Sequence, residues 1–393
     1  MDHIVITGLG VVSPIGTGEE RFWDALCAGR SGATPIDVLD TTELPRRIGC
    51  QVRDPLPVGR PLGRAAQLAV TAARDAVQSA RLDVPSVDPG RTMITLGTTM
   101  GETDFIEERI TGADDEWLNA EHVREIVGGG PGTIARHVQR DLAATGAAID
   151  LYGACAAGNM ALGMAADALR SGQCDVALAG GADGFSRLAF LGFMRLRIMA
   201  AEVCRPFDQA RDGLFVGEGA AVFVLERESQ ARARGATVRA RLLSCANAGE
   251  SYHPTRPDPA GDGLTRATHA ALQLAGLSAG EIDYVCAHGT GTPQNDSIEI
   301  DVLRRCFAQG VPFSSIKALT GHTMGAASAI EAACCVLSLE RQTLIPTWNL
   351  REPLDCGSLE PLRDAVRAAR VRHVLNNSAG FGGYNSSAVL AVA

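Results

Sequence analysis

Residues 149 to 169 read IDLYGACAAGNMALGMAADAL. A short apolar strand runs into a helix, and Cys155 stands between them with only Ala and Gly on either side. The helix carries small residues at Ala157, Gly158, Ala161, Ala165 and Ala168. Such a helix suits burial, with other backbones packed close against it. A cysteine at its start sits among unpaired N–H groups, at the positive end of the helix dipole. That setting is expected to lower the thiol pKa and favour the thiolate, the form that attacks carbonyls. On this stretch alone, a small buried hydrophobe accounts for the cysteine equally well.

Working outward, 393 residues at 46% hydrophobic content are enough for a large core, in two domains or one double-sized unit. A net charge of −9 speaks against a general polyanion binder, so nucleic acid and acidic membranes are not expected partners. A local basic patch for an acidic protein remains compatible with it. The 11 cysteines include no CxxC pair and are odd in number, which points to a reducing compartment and a cytoplasmic protein. The opening MDHIVITGLGVV lacks the pattern of a signal peptide and reads as the first strand. No run of about 18 apolar residues occurs, so no membrane span is expected.

Gly8-Leu9-Gly10 begins like a dinucleotide fingerprint, but Ser13 stands where the third Gly belongs. Pro14 and Gly16 also interrupt the helix that site needs, so a turn is predicted. A strand from Val176 is predicted to stop at Gly180-Gly181. The charged stretch 102–126 reads as an excursion of helices. Gly128-Gly129-Gly130-Pro131-Gly132 lacks the Lys-Ser/Thr of a phosphate loop and reads as a turn or hinge. Strand and helix patterns alternate along the chain, which indicates an α/β protein.

A faint internal echo follows. SSIKALTGHTMGAASAIEAACCVL, residues 314 to 337, repeats the order strand, polar residue, small-residue helix, with His322 in place of the cysteine. Two half-chains of similar build are expected, 1–235 and 236–393, with both helix starts near one pseudo-twofold axis.

Two histidines stand apart from the rest. His288 lies in VCAHGTGTPQND at the end of an apolar strand, and His322 at the start of the echoed helix. Strand ends are where active sites of open α/β sheets gather. Lys317 is a further polar group in an apolar neighbourhood, and Glu331 on the following helix is placed to pair with it; a solvated loop lysine is the plainer reading. In NNSAGFGGYNSS, residues 376 to 387, Gly380, Gly382 and Gly383 allow close backbone approach. The stretch is either a hairpin turn or a set of N–H groups aimed at a developing oxyanion.

At this point GACAAG, HGTGTP, IKALTGHTMGAASAIEA and NNSAGFGGYN, in this order, resemble the active-site blocks of β-ketoacyl-[acyl-carrier-protein] synthases. CRPFDQARDGLFVGEGA and VITGLGVVSPIG resemble two further blocks of that family. The likeness covers nearly the whole chain. It is greatest to the elongating Cys-His-His type of fatty acid synthase II and type II polyketide systems. The resemblance implies a thiolase-like α/β fold of two similar halves in five layers, αβαβα.

It also implies roles. Cys155 would carry the acyl chain, and His288 and His322 would hold a malonyl thioester as it loses carbon dioxide. Lys317 and Glu331 would support the histidines. The N–H groups of Cys155 and Phe381 would form the oxyanion hole. Thr290 and Thr292 would bind the phosphopantetheine arm. Phe381, in the loop of Gly380 and Gly382, would gate an acyl pocket walled by Ala154, Met100 and Phe193. Arg60, Arg64 and Arg197 fall near the family's carrier-docking positions. The implied partners are an acyl carrier protein and either a second copy or a chain-length-factor-like subunit; no metal or organic cofactor is implied. Ala379, Tyr384 and Ser328 depart from the commonest pattern, which bears on acyl selectivity. Other readings are an acyltransferase or decarboxylase that does not condense, and a non-catalytic partner subunit. Retention of Cys155, His288 and His322 together argues against the last.

Overall fold

The structure is a computed structural model that describes residues 2–58, 62–103, 106–107 and 134–393. Arg60, most of the charged stretch 102–126 and the glycine run 128–132 lie outside these residues. Ten strands carry the architecture. The first half supplies β1 (Ile4–Ser13), β2 (Thr92–Thr98), β3 (Ala148–Tyr152), β4 (Val176–Asp183) and β5 (Gly219–Arg227). The second half supplies β6 (Ala240–Gly249), β7 (Tyr284–Cys286), β8 (Pro312–Ser314), β9 (His373–Gly380) and β10 (Tyr384–Val392).

The first half is ordered β1-β5-β4-β2-β3 and the second β6-β10-β9-β7-β8. In each half the first two pairings are antiparallel and the last two parallel. The halves thus share one topology. They are joined where β1 pairs antiparallel with β6.

Three helical layers complete the five. On the outside of the first half, α1 (Arg64–Ser79) packs on β1, β5 and β4. Between the two sheets lie α2 (Ala157–Arg170) and α6 (Ala327–Arg341), each touching strands of both halves. On the far side, α4 (Asp262–Ala275) packs on β6 and β10, with α5 (Pro293–Cys306) beside it. A short helix, α3 (Arg187–Arg195), stands at the mouth of the site. The central helices bury Ala, Cys and Leu from every side of α6, which is why that helix shows no polar face. At their crossing a Cβ on Gly158 would stand 2.7 Å from Ala329 N. Ser328 uses this closeness: its Oγ accepts the Asn159 N–H at 3.0 Å, one of the donors a helix start leaves unpaired.

Two local expectations are corrected. Gly8 and Gly10 form no turn but lie inside β1. A Cβ there would sit 2.2 Å from Ala76 O and 1.9 Å from Ala72 O, so these glycines admit α1 against the strand. Likewise β4 does not stop at Gly180-Gly181 but runs through both. A Cβ on Gly180 would meet Ala221 O at 1.9 Å. Close approach, not chain reversal, is what these glycines serve. Among the described residues no helix is long and apolar enough to cross a membrane.

Candidate active site

Cys155 sits on an elbow between β3 and α2. Ala154 takes the left-handed conformation with φ 48°, and a single helical turn leads into the helix. A non-glycine residue there costs on the order of 1–3 kcal/mol and persists only where the surroundings hold it. The second half repeats the device before α6, with Met324 at φ 53°. This corrects the register of the echo. The residue equivalent to Cys155 is Gly325, and His322 stands three positions earlier. Gly325 is needed because a Cβ would come 2.4 Å from Thr98 C.

The fold brings the reactive groups together from both halves. Cys155 Sγ and one ring nitrogen of each of His288 and His322 all lie within 4.8 Å of one another. The imidazole rings stand edge to face, 5.3 Å apart and at 82°. All three residues are buried. They line one end of a cleft of about 470 Å³. Thr290, Thr292, Phe193, Gly380, Phe381 and Arg197 line the same cleft.

Backbone and side-chain donors decide which ring nitrogen carries the proton. Met324 N–H donates to His322 Nδ1 at 3.1 Å, so the His322 proton is on Nε2. Lys317 Nζ donates to the His288 carbonyl, stands 3.3 Å from His288 Nδ1, and is paired with Glu331. His288 is thereby also left with Nε2–H facing the cleft. Burial, and then the Lys317 charge, hold both imidazoles well below the usual histidine range, so both are neutral at neutral pH. Two neutral N–H donors at the base of a cleft can hold a carbonyl oxygen as it becomes an enolate. The same arrangement is the reverse of a metal site, where the second ring nitrogen donates to an acceptor. Here both Nδ1 atoms face donors.

The thiol departs from expectation. Burial pushes Cys155 up to about 12, against the pull of Lys317 and of the Phe381 N–H aimed at its sulfur. A helix N-terminus contributes about 0.3–1 kcal/mol, under one pKa unit, which is too little to reverse such a shift. Cys155 therefore rests as the thiol and gives up its proton as it attacks. Its alkylation by iodoacetamide should rise about tenfold per pH unit between about pH 7 and pH 10. A plateau near neutral pH would show a thiolate at rest and contradict this.

The remaining predicted positions separate into groups. Phe381 stacks on Phe193, with ring centroids 5.6 Å apart at 22°. Ala154 backs the gate loop, its Cβ 3.0 Å from where a Cβ on Gly380 would lie. Met100 sits outside the cleft lining, in an apolar cluster with Phe193 and Met324. Gly382 is exposed and its N–H donates to Pro254 O at 2.8 Å. Thr290 and Thr292 hydroxyls lie 2.8 Å apart. The guanidinium of Arg64 is bound to both oxygens of Glu218 and to Val52 O, which gives it a structural role within the fold. Arg197 is exposed at the mouth of the cleft.

Several supporting residues escaped the sequence reading. Glu299 accepts the His288 and Gly289 N–H groups, each at 2.7 Å, and Asp296 accepts those of Thr290 and Phe207. Their spacing of three on one face of α5, in PQNDSIEI, was the available signal. Ser378 Oγ donates to Cys155 O at 2.9 Å. Arg256 lines the cleft together with Glu250 and Asp258.

Comparison with known proteins completes the assignment. Residues 1–231 match the N-terminal domain of the beta-ketoacyl synthase family, and residues 239–351 its C-terminal domain. The chain belongs to the β-ketoacyl synthase family. This β-ketoacyl synthase is 35% identical to the tetracenomycin polyketide synthase ketoacyl synthase alpha subunit of Streptomyces glaucescens, over 99% of this chain and 97% of that one. It is 33% identical to 3-oxoacyl-[acyl-carrier-protein] synthase 2 of Coxiella burnetii, over 99% and 98%. Its fold superposes on the ishigamide ketosynthase/chain length factor with a TM-score of 0.93 and 38% identity, covering 100% of this chain and 99% of that chain. The synthase thus shares its fold with a solved ketosynthase along its full length.

Proposed function

We propose that this synthase joins an acyl chain held on Cys155 to malonyl-acyl carrier protein, with loss of carbon dioxide, giving 3-ketoacyl-acyl carrier protein. The observation that carries the reading is the meeting of Cys155 with two neutral imidazoles, each presenting Nε2–H. Cys155 Sγ attacks the acyl thioester, and the oxyanion is received by the N–H groups of Cys155 and Phe381. The carrier thiol leaves with the proton of Cys155. The malonyl thioester oxygen then lies between His288 and His322. The bond to the carboxylate breaks, carbon dioxide departs, and the electron pair becomes an enolate. Its carbon attacks the acyl-Cys155 carbonyl, and Cys155 leaves and recovers a proton from water. Loss of carbon dioxide drives the cycle, which calls on no metal or organic cofactor.

The relatives place this chemistry in polyketide or fatty acid assembly. Arg197 and Arg256 at the cleft mouth suit the phosphodiester of a carrier arm. β3 is one of the two sheet edges among the described residues, and the exposed Tyr152 and Met164 beside it suit a second copy or a chain-length-factor subunit there. Eleven unpaired cysteines support a cytoplasmic setting.

Intact-protein mass spectrometry tests the proposal. Wild type mixed with acyl-carrier protein should gain the acyl mass, and Cys155→Ala should not. Malonyl-carrier protein should then remove that mass as a 3-ketoacyl product. An acyl mass that persists, even with a chain-length-factor partner present, would favour a transferase that does not condense.

A further inference from the structure

The chemistry proposed above leaves several buried carboxylates without a task, Asp183 among them. Asp183 ends β4 and is fully buried. Four donors converge on its two oxygens. Thr98 Oγ1 at 2.6 Å and Met100 N–H at 2.9 Å reach Oδ1. Thr99 N–H at 2.8 Å and Gly325 N–H at 2.6 Å reach Oδ2. Three of these donors come from the end of β2 in the same half. The fourth comes from the elbow of the other half.

Gly325 follows Met324, the residue whose N–H points at His322 Nδ1. Met324 is held in the left-handed region, which a methionine keeps only under restraint from its surroundings. A charge-assisted bond to the next N–H supplies that restraint. The elbow has no slack to move otherwise. A Cβ on Gly181, beside Asp183 on β4, would come 2.7 Å from Gly325 O. Burial pushes Asp183 up to about 6, so at neutral pH the carboxylate is charged.

We propose that Asp183 is a positioning residue for decarboxylation. Its carboxylate clamps Gly325, and so keeps Met324 N–H on His322 Nδ1 and the histidine proton on Nε2. The inference rests on the function proposed above. It also predicts an opposite effect on the first half-reaction. The negative charge of Asp183 raises the Cys155 thiol, together with Glu331 and against Lys317, while His288 and His322 beside it are neutral. A residue that merely held the fold would affect both half-reactions alike.

Asp183→Asn keeps the shape but turns an NH2 group towards two of the four donors. Release of carbon dioxide from malonyl-carrier protein should fall about 10- to 100-fold, the scale of a small misplacement at a reacting centre. Acylation of Cys155, followed by mass, should be as fast as in wild type or faster, and the pH profile of Cys155 alkylation should move to lower pH. Equal losses in both half-reactions, or none in decarboxylation, would overturn the inference. Where Asp183→Asn does not fold, Thr98→Val removes one donor and leaves the charge. It should slow decarboxylation by a smaller factor with the alkylation profile unmoved, and an unchanged rate of decarboxylation would equally overturn the inference. A wild-type protein that acylates Cys155 but releases no carbon dioxide would instead count against the proposed function.

Discussion

Replacing Lys317 by alanine should lower the free energy of unfolding by about 3–5 kcal/mol, the usual cost of removing one partner of a buried ion pair. Lys317 and Glu331 are both almost wholly buried. The ammonium serves three acceptors at once: the Glu331 carboxylate, the His288 carbonyl and His288 Nδ1. Burial already pushes the Glu331 carboxyl up to about 7 against the pull of Lys317, so without the lysine it would take up a proton. That proton limits the loss but leaves the histidine contacts unmade. Urea unfolding monitored by tryptophan fluorescence measures the change. A loss below about 1 kcal/mol, the worth of an exposed pair, would show that this pair is not desolvated. The double variant Lys317→Met/Glu331→Leu separates stability from chemistry. It should regain most of the stability, because apolar residues of similar volume replace buried pairs at little cost. Decarboxylation should stay low, because His288 Nδ1 then lacks its donor.

A large and selective kinetic effect is expected at His322. His322→Ala removes one of two N–H donors from the developing enolate oxygen, and such a loss costs about 100- to 1000-fold in rate. Acyl transfer to Cys155 does not use that donor and should continue. Stopped assays of carbon dioxide release against acyl-enzyme formation measure the two separately. Equal falls in both would mean that His322 serves the thiol rather than the malonyl group. The pH dependence has a definite sign. Both imidazoles are held below the ordinary histidine pKa, chiefly by burial, so the neutral form persists to lower pH than for a free histidine. Decarboxylation should therefore show no loss from histidine protonation between about pH 8 and pH 6.5, and should decline below that first as Asp183 takes up a proton near pH 6, then as pH falls through the depressed histidine values. A decline centred on the ordinary histidine value of about 6.5 would contradict the assignment.

The residues that meet in the candidate site were legible because each lies in a short block with its own local pattern. A cysteine among Ala and Gly, a histidine at a strand end and a glycine-rich hairpin are visible without knowing what surrounds them. The residues that hold them in place were not legible. Ser378 reaches Cys155 across 223 positions of sequence, and Asp183 reaches Gly325 across 142. No local pattern marks such a partner. The glycines misled for a related reason. Gly8, Gly10, Gly180 and Gly181 carry the mark of turns, yet each lies in a strand where another backbone comes too near for a Cβ. The partner of Arg64 was equally invisible: Glu218, 154 positions away and just ahead of β5, binds its guanidinium.

By itself, the sequence determined the alternation of strands and helices, the small-residue helices of the central layer and which side chains to look for in the candidate site. Those properties follow from side-chain periodicity and chemistry within some twenty residues. Only the tertiary structure decided the protonation of the site. The thiol state of Cys155 depends on desolvation by both halves, which outweighs the helix end that the sequence displays. The tautomers of His288 and His322 depend on a lysine and an N–H group delivered by the fold. Desolvation and donor direction belong to the packed chain and not to any segment of it, so the chemistry could be named from the sequence while its working state could not.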